Sequence, residues 1–136
     1  MAWVVDTSLL IDVAEADPSF GLVSAGLIDS KRSDGLAVCP VSYVELAPVF
    51  DGDARAQNEF LFNLGVTWPE VWTVADTVAA HEAWHRYVKA KRAGSVPKRP
   101  VADVLIGAFA SRFEGLLTRN EADFKRVFPG LKILSP

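Results

Sequence analysis

Short runs of β-branched and leucine residues recur along this chain, and most of the gaps between them are filled by apolar residues at helical spacing. "WVV" at 3–5 ends at Asp6. It is followed by "TSLLIDVAEA", in which Leu9, Leu10, Val13 and Ala14 fall on one helical face before Asp17-Pro18 breaks the pattern. Residues 20–30 read as a second helix. "LAVCP" at 36–40 reads as a buried strand stopped by Pro40, and "VSYVELAPVF" then starts a helix. Residues 53–64 are helical, with Phe60, Leu61 and Leu64 facing inward, and 66–74 are irregular or partly extended. The longest helix covers 76–92 and is closed by Gly94, after which 93–100 form a loop. "RPVADVLIGAFASRF" is helical after Pro100, "GLLT" at 115–118 is a strand, "EADFKRVF" a short helix and "LKIL" at 131–134 a last strand. Strands without polar alternation, separated by helices, imply a parallel sheet covered on both faces. The expected class is α/β, with three layers and a central parallel sheet flanked by helices.

No repeat or internal linker divides the 136 residues, so a single domain over 1–136 is expected. Half the residues are apolar and 23% are charged, the balance of a globular domain. A net charge of −3 gives no global basic field, so a nucleic acid would have to be met by a local patch. The lone Cys39 excludes an internal disulfide and fits a reducing cytoplasm. The N-terminus lacks a basic n-region, and no run is long and apolar enough to span a bilayer. A cytoplasmic protein without a membrane partner is expected.

In open parallel sheets, ligands sit beyond the carboxyl ends of the strands, where helices begin. Asp6 ends the first strand, Glu45 opens the helix after "LAVCP", Asp103 follows Pro100, and Asp123 follows Thr118-Arg119-Asn120. Each has a local explanation as well. Ser42-x-x-Glu45 spells a capping box, Asn120-x-x-Asp123 a similar one, and Asp6 could cap the first helix. Their convergence argues for more. Carboxylates crowded together repel unless a cation intervenes, and an all-oxygen site suits Mg²⁺ or Mn²⁺. Such a centre can activate water and steady a phosphodiester during in-line displacement.

"VVDTSLLID", "VSYVELAPV", "RPVADVLIGAFA" and "GLLTRNEADFKRVFPGLKILSP" stand in an order and spacing that resembles the PIN domain, and more narrowly the VapC-type toxins. The resemblance covers nearly the whole chain. It implies a PIN-like fold and a Mg²⁺- or Mn²⁺-dependent endoribonuclease acting on RNA. It also implies a homodimer and a cognate VapB-type antitoxin as partner. By motif, Asp6, Glu45, Asp103 and Asp123 would be the catalytic, metal-holding carboxylates, with Asp6 and Asp103 the first candidates for direct ligands. Thr7, Ser8, Thr118 and Asn120 would support them. Many PIN domains carry an acid where this chain has Asn120, which leaves Asp123 as the fourth carboxylate.

Three other readings compete. His81-Glu82-Ala83-Trp84-His85 matches the zinc-protease motif H-E-x-x-H, but the chain has no further histidine to act as third ligand. "VVDTS" and "GLLTR" echo a haloacid-dehalogenase-like phosphatase, yet the second aspartate that chemistry needs is Ser8 here. A PIN scaffold kept for binding alone has no positive support while all four carboxylates are present. Lys89, Lys91, Arg92, Lys98 and Arg99 form a basic segment leading towards Asp103, an expected RNA path. Trp68 and Trp72 could stack bases but read better as core or dimer packing.

Overall fold

The alternation becomes a layered sandwich in a computed structural model that describes residues 2–67, 70–92 and 101–136. The first half contains β1 (Trp3–Val5), α1 (Thr7–Ala14), α2 (Gly21–Ser30), β2 (Leu36–Ala37), α3 (Pro40–Glu45), α4 (Ala54–Leu64) and β3 (Val66–Thr67). The second contains α5 (Val74–Arg92), α6 (Val101–Ala110), β4 (Gly115–Leu117), α7 (Glu121–Val127) and β5 (Ile133–Leu134). The strands form one sheet in the order β3-β2-β1-β4-β5, and every neighbouring pair is parallel. Val4 of the central strand pairs with Ala37 on one side and Leu116 on the other.

Successive strand residues feed opposite cores, as the two-residue period of a strand requires. Trp3, Val5, Leu36 and Leu117 pack with Leu9, Leu10, Ile28 and Leu61 beneath α1, α2 and α4. Val4, Leu116 and Ile133 pack with Ala83, Val104, Phe109 and Phe124 beneath α5, α6 and α7. Both faces are covered, which is why these strands read as unbroken apolar runs. Helix α3 contributes Val41 to one core and Tyr43 to the other, so it bridges the two layers at one end of the sheet.

Local chemistry moves some boundaries. Pro40 is the first residue of α3, where its missing N–H costs nothing. Pro48 cannot donate to the Val44 carbonyl, and the chain passes from α3 into a 3₁₀ turn at Ala47–Phe50. Gly65, at φ +82°, turns the chain from α4 into β3, so the stretch expected to be irregular or partly extended opens with a paired edge strand. Among the described residues, no helix is long and apolar enough to cross a membrane.

Candidate active site

Asp6 is the residue just past β1. Its N–H still donates to the Leu117 carbonyl (2.9 Å), so the sheet fixes its backbone while its side chain turns to the helix layer. It occupies the N-cap position of α1, but its carboxylate makes no capping bond. Instead Oδ2 accepts from the Thr118 hydroxyl at 2.6 Å and from the Ser8 hydroxyl at 2.9 Å. Asp6 is only 3% exposed and Thr118 is fully buried. Burial pushes the Asp6 pKa up, the two hydroxyl donors oppose that shift, and the Glu45 charge adds to it.

Thr118 holds both sides of this contact. Its backbone N–H donates to Leu134 (3.1 Å), and its Oγ1 accepts from the Asn120 N–H (3.0 Å) while donating to Asp6. Asn120 is the N-cap residue of α7 by position, with no side-chain capping bond. Thr7 makes the bridge to α3: its hydroxyl donates to Glu45 Oε1 at 2.8 Å and lies 2.8 Å from Ser42 Oγ. Two expectations are corrected here. Glu45 ends α3 rather than opening it, and the Ser42–Glu45 capping box does not form, because Pro40 starts the helix two residues before Ser42. Ser42, fully buried, faces Thr7 instead.

Asp103 lies in the first turn of α6 and Asp123 in the first turn of α7, both half-buried. A short turn joins α6 to the start of β4, so the first turn of α6 lies at the carboxyl end of the sheet, as does α7, which follows β4. Helix α6 packs against both α3 and α7. All four carboxylates therefore belong to one end of the sheet. Among the described residues, though, no three His, Cys, Asp or Glu side chains stand close enough to form a ready metal cage. The assembled part is Asp6 and Glu45 with the hydroxyls of Thr7, Ser8 and Thr118.

An all-oxygen donor set of this kind fits a hard cation. Mg²⁺ is commonly held by one or two carboxylates and keeps several waters, so it does not need a closed protein cage. The same setting raises the Asp6 pKa: burial is the largest cause, and the nearby Glu45 charge adds to it.

No family profile matches the chain, and no curated protein sequence matches it. Solved structures do. A chain of the VapBC2 complex from Rickettsia felis, bound to a DNA fragment from their promoter, superposes with a TM-score of 0.66 at 19% identity, covering 100% of this chain and 99% of that one. A chain of VapBC-1 from nontypeable Haemophilus influenzae gives 0.66 at 18% identity, covering 99% and 98%. The fold is PIN-like. At these identities the likeness is one of fold, over the full length of both chains.

Within the PIN-like fold the remaining motifs find their places. His81 and His85 do lie one turn apart on α5, and both are exposed. No third ligand joins them among the described residues, which leaves a zinc protease without its catalytic centre. Arg112 ties the start of α5 to the amino end of β4 through Asp76 (3.0 Å) and the Val71 carbonyl (2.7 Å). The other end of α5, carrying exposed Lys89, therefore points towards the carboxylate end of the sheet. The side chains of Lys91 and Arg92, and all of Lys98, Arg99 and Trp68, lie outside the described residues. Trp72 stacks on Phe109 (6.2 Å, 9°) and donates to Thr77 (2.8 Å), so it belongs to packing.

One pair was missed from the sequence. Asp12, 3% exposed, receives Arg119 through Nε (2.7 Å) and Nη2 (3.0 Å), together with the Ser24 hydroxyl (2.9 Å). Arg119 also lies over the Phe20 ring at 4.2 Å. The pair ties α1 and α2 to the loop that carries Thr118. The available signal was an acid set among the inward residues of α1, since a buried carboxylate requires a partner.

Proposed function

We propose that this chain is a Mg²⁺- or Mn²⁺-dependent endoribonuclease and the toxin of a VapBC-type toxin–antitoxin pair. The observation that carries this reading is the buried Asp6 carboxylate beyond β1, with Glu45 beside it, on a fold shared with chains of VapBC complexes. Asp6, Glu45, Asp103 and Asp123 would hold the cation, with Asp6 and Asp103 nearest to direct ligation. Thr118 and Ser8 orient Asp6, Thr7 orients Glu45, and Asn120 fixes Thr118 through its N–H. When bound, the cation supplies Lewis-acid charge beside a phosphodiester and makes water easier to deprotonate. The segment from Lys89 to Arg99 offers cations for the RNA backbone. A VapB-type antitoxin and a second copy of the chain complete the assembly in this reading.

The test is RNA cleavage with Mg²⁺ or Mn²⁺ beside a chelator control, for the unmodified chain, Asp6→Asn and Asp103→Asn. Loss of an anionic ligand from a pre-organised centre should slow cleavage about a hundredfold or more. Glu45→Gln should be comparable and Asp123→Asn milder. Folded Asp6→Asn and Asp103→Asn proteins that cleave at the unmodified rate would overturn the proposal.

A further inference from the structure

The histidine pair on α5 has no part in the proposed nuclease, yet its geometry is specific. His81 and His85 are four residues apart within a 19-residue helix, which puts their side chains on one face about 6 Å apart along the axis. Both are exposed, and among the described residues neither ring has a hydrogen-bond or ion-pair partner. The two rings line an open depression of about 560 Å³ with Trp84, Val88 and Lys89. His81 also lies at the rim of an adjoining apolar groove bounded by Trp72 and Val101.

We infer that His81 and His85 form a surface chelating site for one borderline divalent transition ion, Zn²⁺, Ni²⁺ or Cu²⁺. Imidazole nitrogen suits these ions, whereas carboxylate and hydroxyl oxygen suit Mg²⁺ and Mn²⁺, so the histidine pair and the carboxylates select different metals. Two nitrogens one helical turn apart bind as a chelate, the second closing intramolecularly once the first is engaged. Glu82 stands about 100° round the helix from His81 and does not share its face, so water fills the other positions. Lys89, one turn beyond His85, opposes the ion's charge and sets the site at moderate affinity.

Calorimetric titration of the untagged, full-length protein with Zn²⁺ and Ni²⁺ tests this, beside quenching of tryptophan fluorescence by Cu²⁺. One ion should bind per chain, with Cu²⁺ tightest and excess Mg²⁺ failing to compete. His81→Ala and His85→Ala should each weaken binding about a hundredfold, by removing the intramolecular second ligand. Adding Lys89→His to His81→Ala restores the four-residue spacing one turn along and should recover most of the affinity. Trp84→Phe should keep the binding and reduce the quenching. Single histidine variants that bind as tightly as the unmodified chain would overturn the inference. So would binding that survives both substitutions and disappears in Asp6→Asn, because the ion would then sit at the carboxylates.

Discussion

The substitution Asp6→Asn should make the metal-free protein more stable while it removes activity. Taking a carboxylate out of water costs several kcal/mol, and Asp6 is 3% exposed with Glu45 as a like-charged neighbour. Against this stand the hydrogen bonds from Thr118 (2.6 Å) and Ser8 (2.9 Å). A bond to a charged acceptor contributes roughly 1.5–3 kcal/mol and a bond to a neutral one roughly 0.5–1.5. Asparagine keeps an oxygen for both donors, so about 1 kcal/mol is lost per bond and about 2 in all. The recovered desolvation exceeds that loss, leaving a net gain of about 1–3 kcal/mol. For a chain of 136 residues this raises Tm by roughly 3–10 °C. The pH dependence follows from the sign of the shift. The folded pKa lies above the ordinary aspartate value, so the native state holds this proton more tightly than the unfolded chain. Stability is then greatest below the unfolded pKa and falls as pH rises through the folded pKa. The advantage of Asp6→Asn should accordingly be small in acid and widen towards neutral pH. Scanning calorimetry across a pH series, with chelator present, reads this directly. Adding Mg²⁺ should then stabilise the unmodified chain by about 2.7 kcal/mol at a hundredfold excess over Kd, and leave the variant unmoved. A variant that melts below the unmodified protein at neutral pH without divalent ions would show that the hydroxyls outweigh desolvation, and the reasoning would fail.

Arg119→Ala should destabilise by about 2–4 kcal/mol in denaturant melts. It strands a carboxylate that is 4% exposed, although the guanidinium it removes is 31% exposed and partly screened. Gly107→Ala should cost about 1–3 kcal/mol, because a Cβ there would stand 2.3 Å from the Phe128 ring. Gly26→Ala, in α2 with nothing within 4 Å of the added carbon, should instead gain roughly 0.5–1 kcal/mol. The Cys39 thiol, pushed up to about 11 by burial, should resist alkylation at neutral pH until denaturant unfolds the chain, as followed by mass.

The layered fold was legible because both faces of the sheet are covered. Runs such as Trp3–Val5 and Gly115–Leu117 carry no polar residue, and helical spacing fills the intervals. What the sequence left open was β3, within a stretch read as irregular or partly extended. Val66–Thr67 is too short to show a period, and its status as a strand comes from pairing with β2, a contact between residues about thirty apart in sequence. The position of Glu45 escaped for a different reason. Ser42 and Glu45 have the spacing of a capping box, but Pro40 is better suited to begin a helix, and its start two residues earlier moves Glu45 to the far end. The same shift turns Ser42 and Glu45 towards Thr7, so a misread helix start hid a contact between the two elements that build the site.

The two metal-like patterns in this chain differ in how far sequence can take them. His81 and His85 are a local pattern, and helix geometry alone fixes their relation; it provides two ligands and cannot bring a third. Asp6, Glu45, Asp103 and Asp123 are scattered over most of the chain, and nothing local relates them. Their relation comes from the parallel sheet, which directs the chain into a helix at the same end after β1, β2 and β4. The contacts follow that topology. Thr118, at the end of β4, reaches Asp6, at the end of β1, across neighbouring strands; Thr7 then reaches the helix that follows β2. Strand order thus decides which side chains meet: it brings Thr118 to Asp6 and Thr7 to Glu45, contacts that no local pattern in the sequence relates.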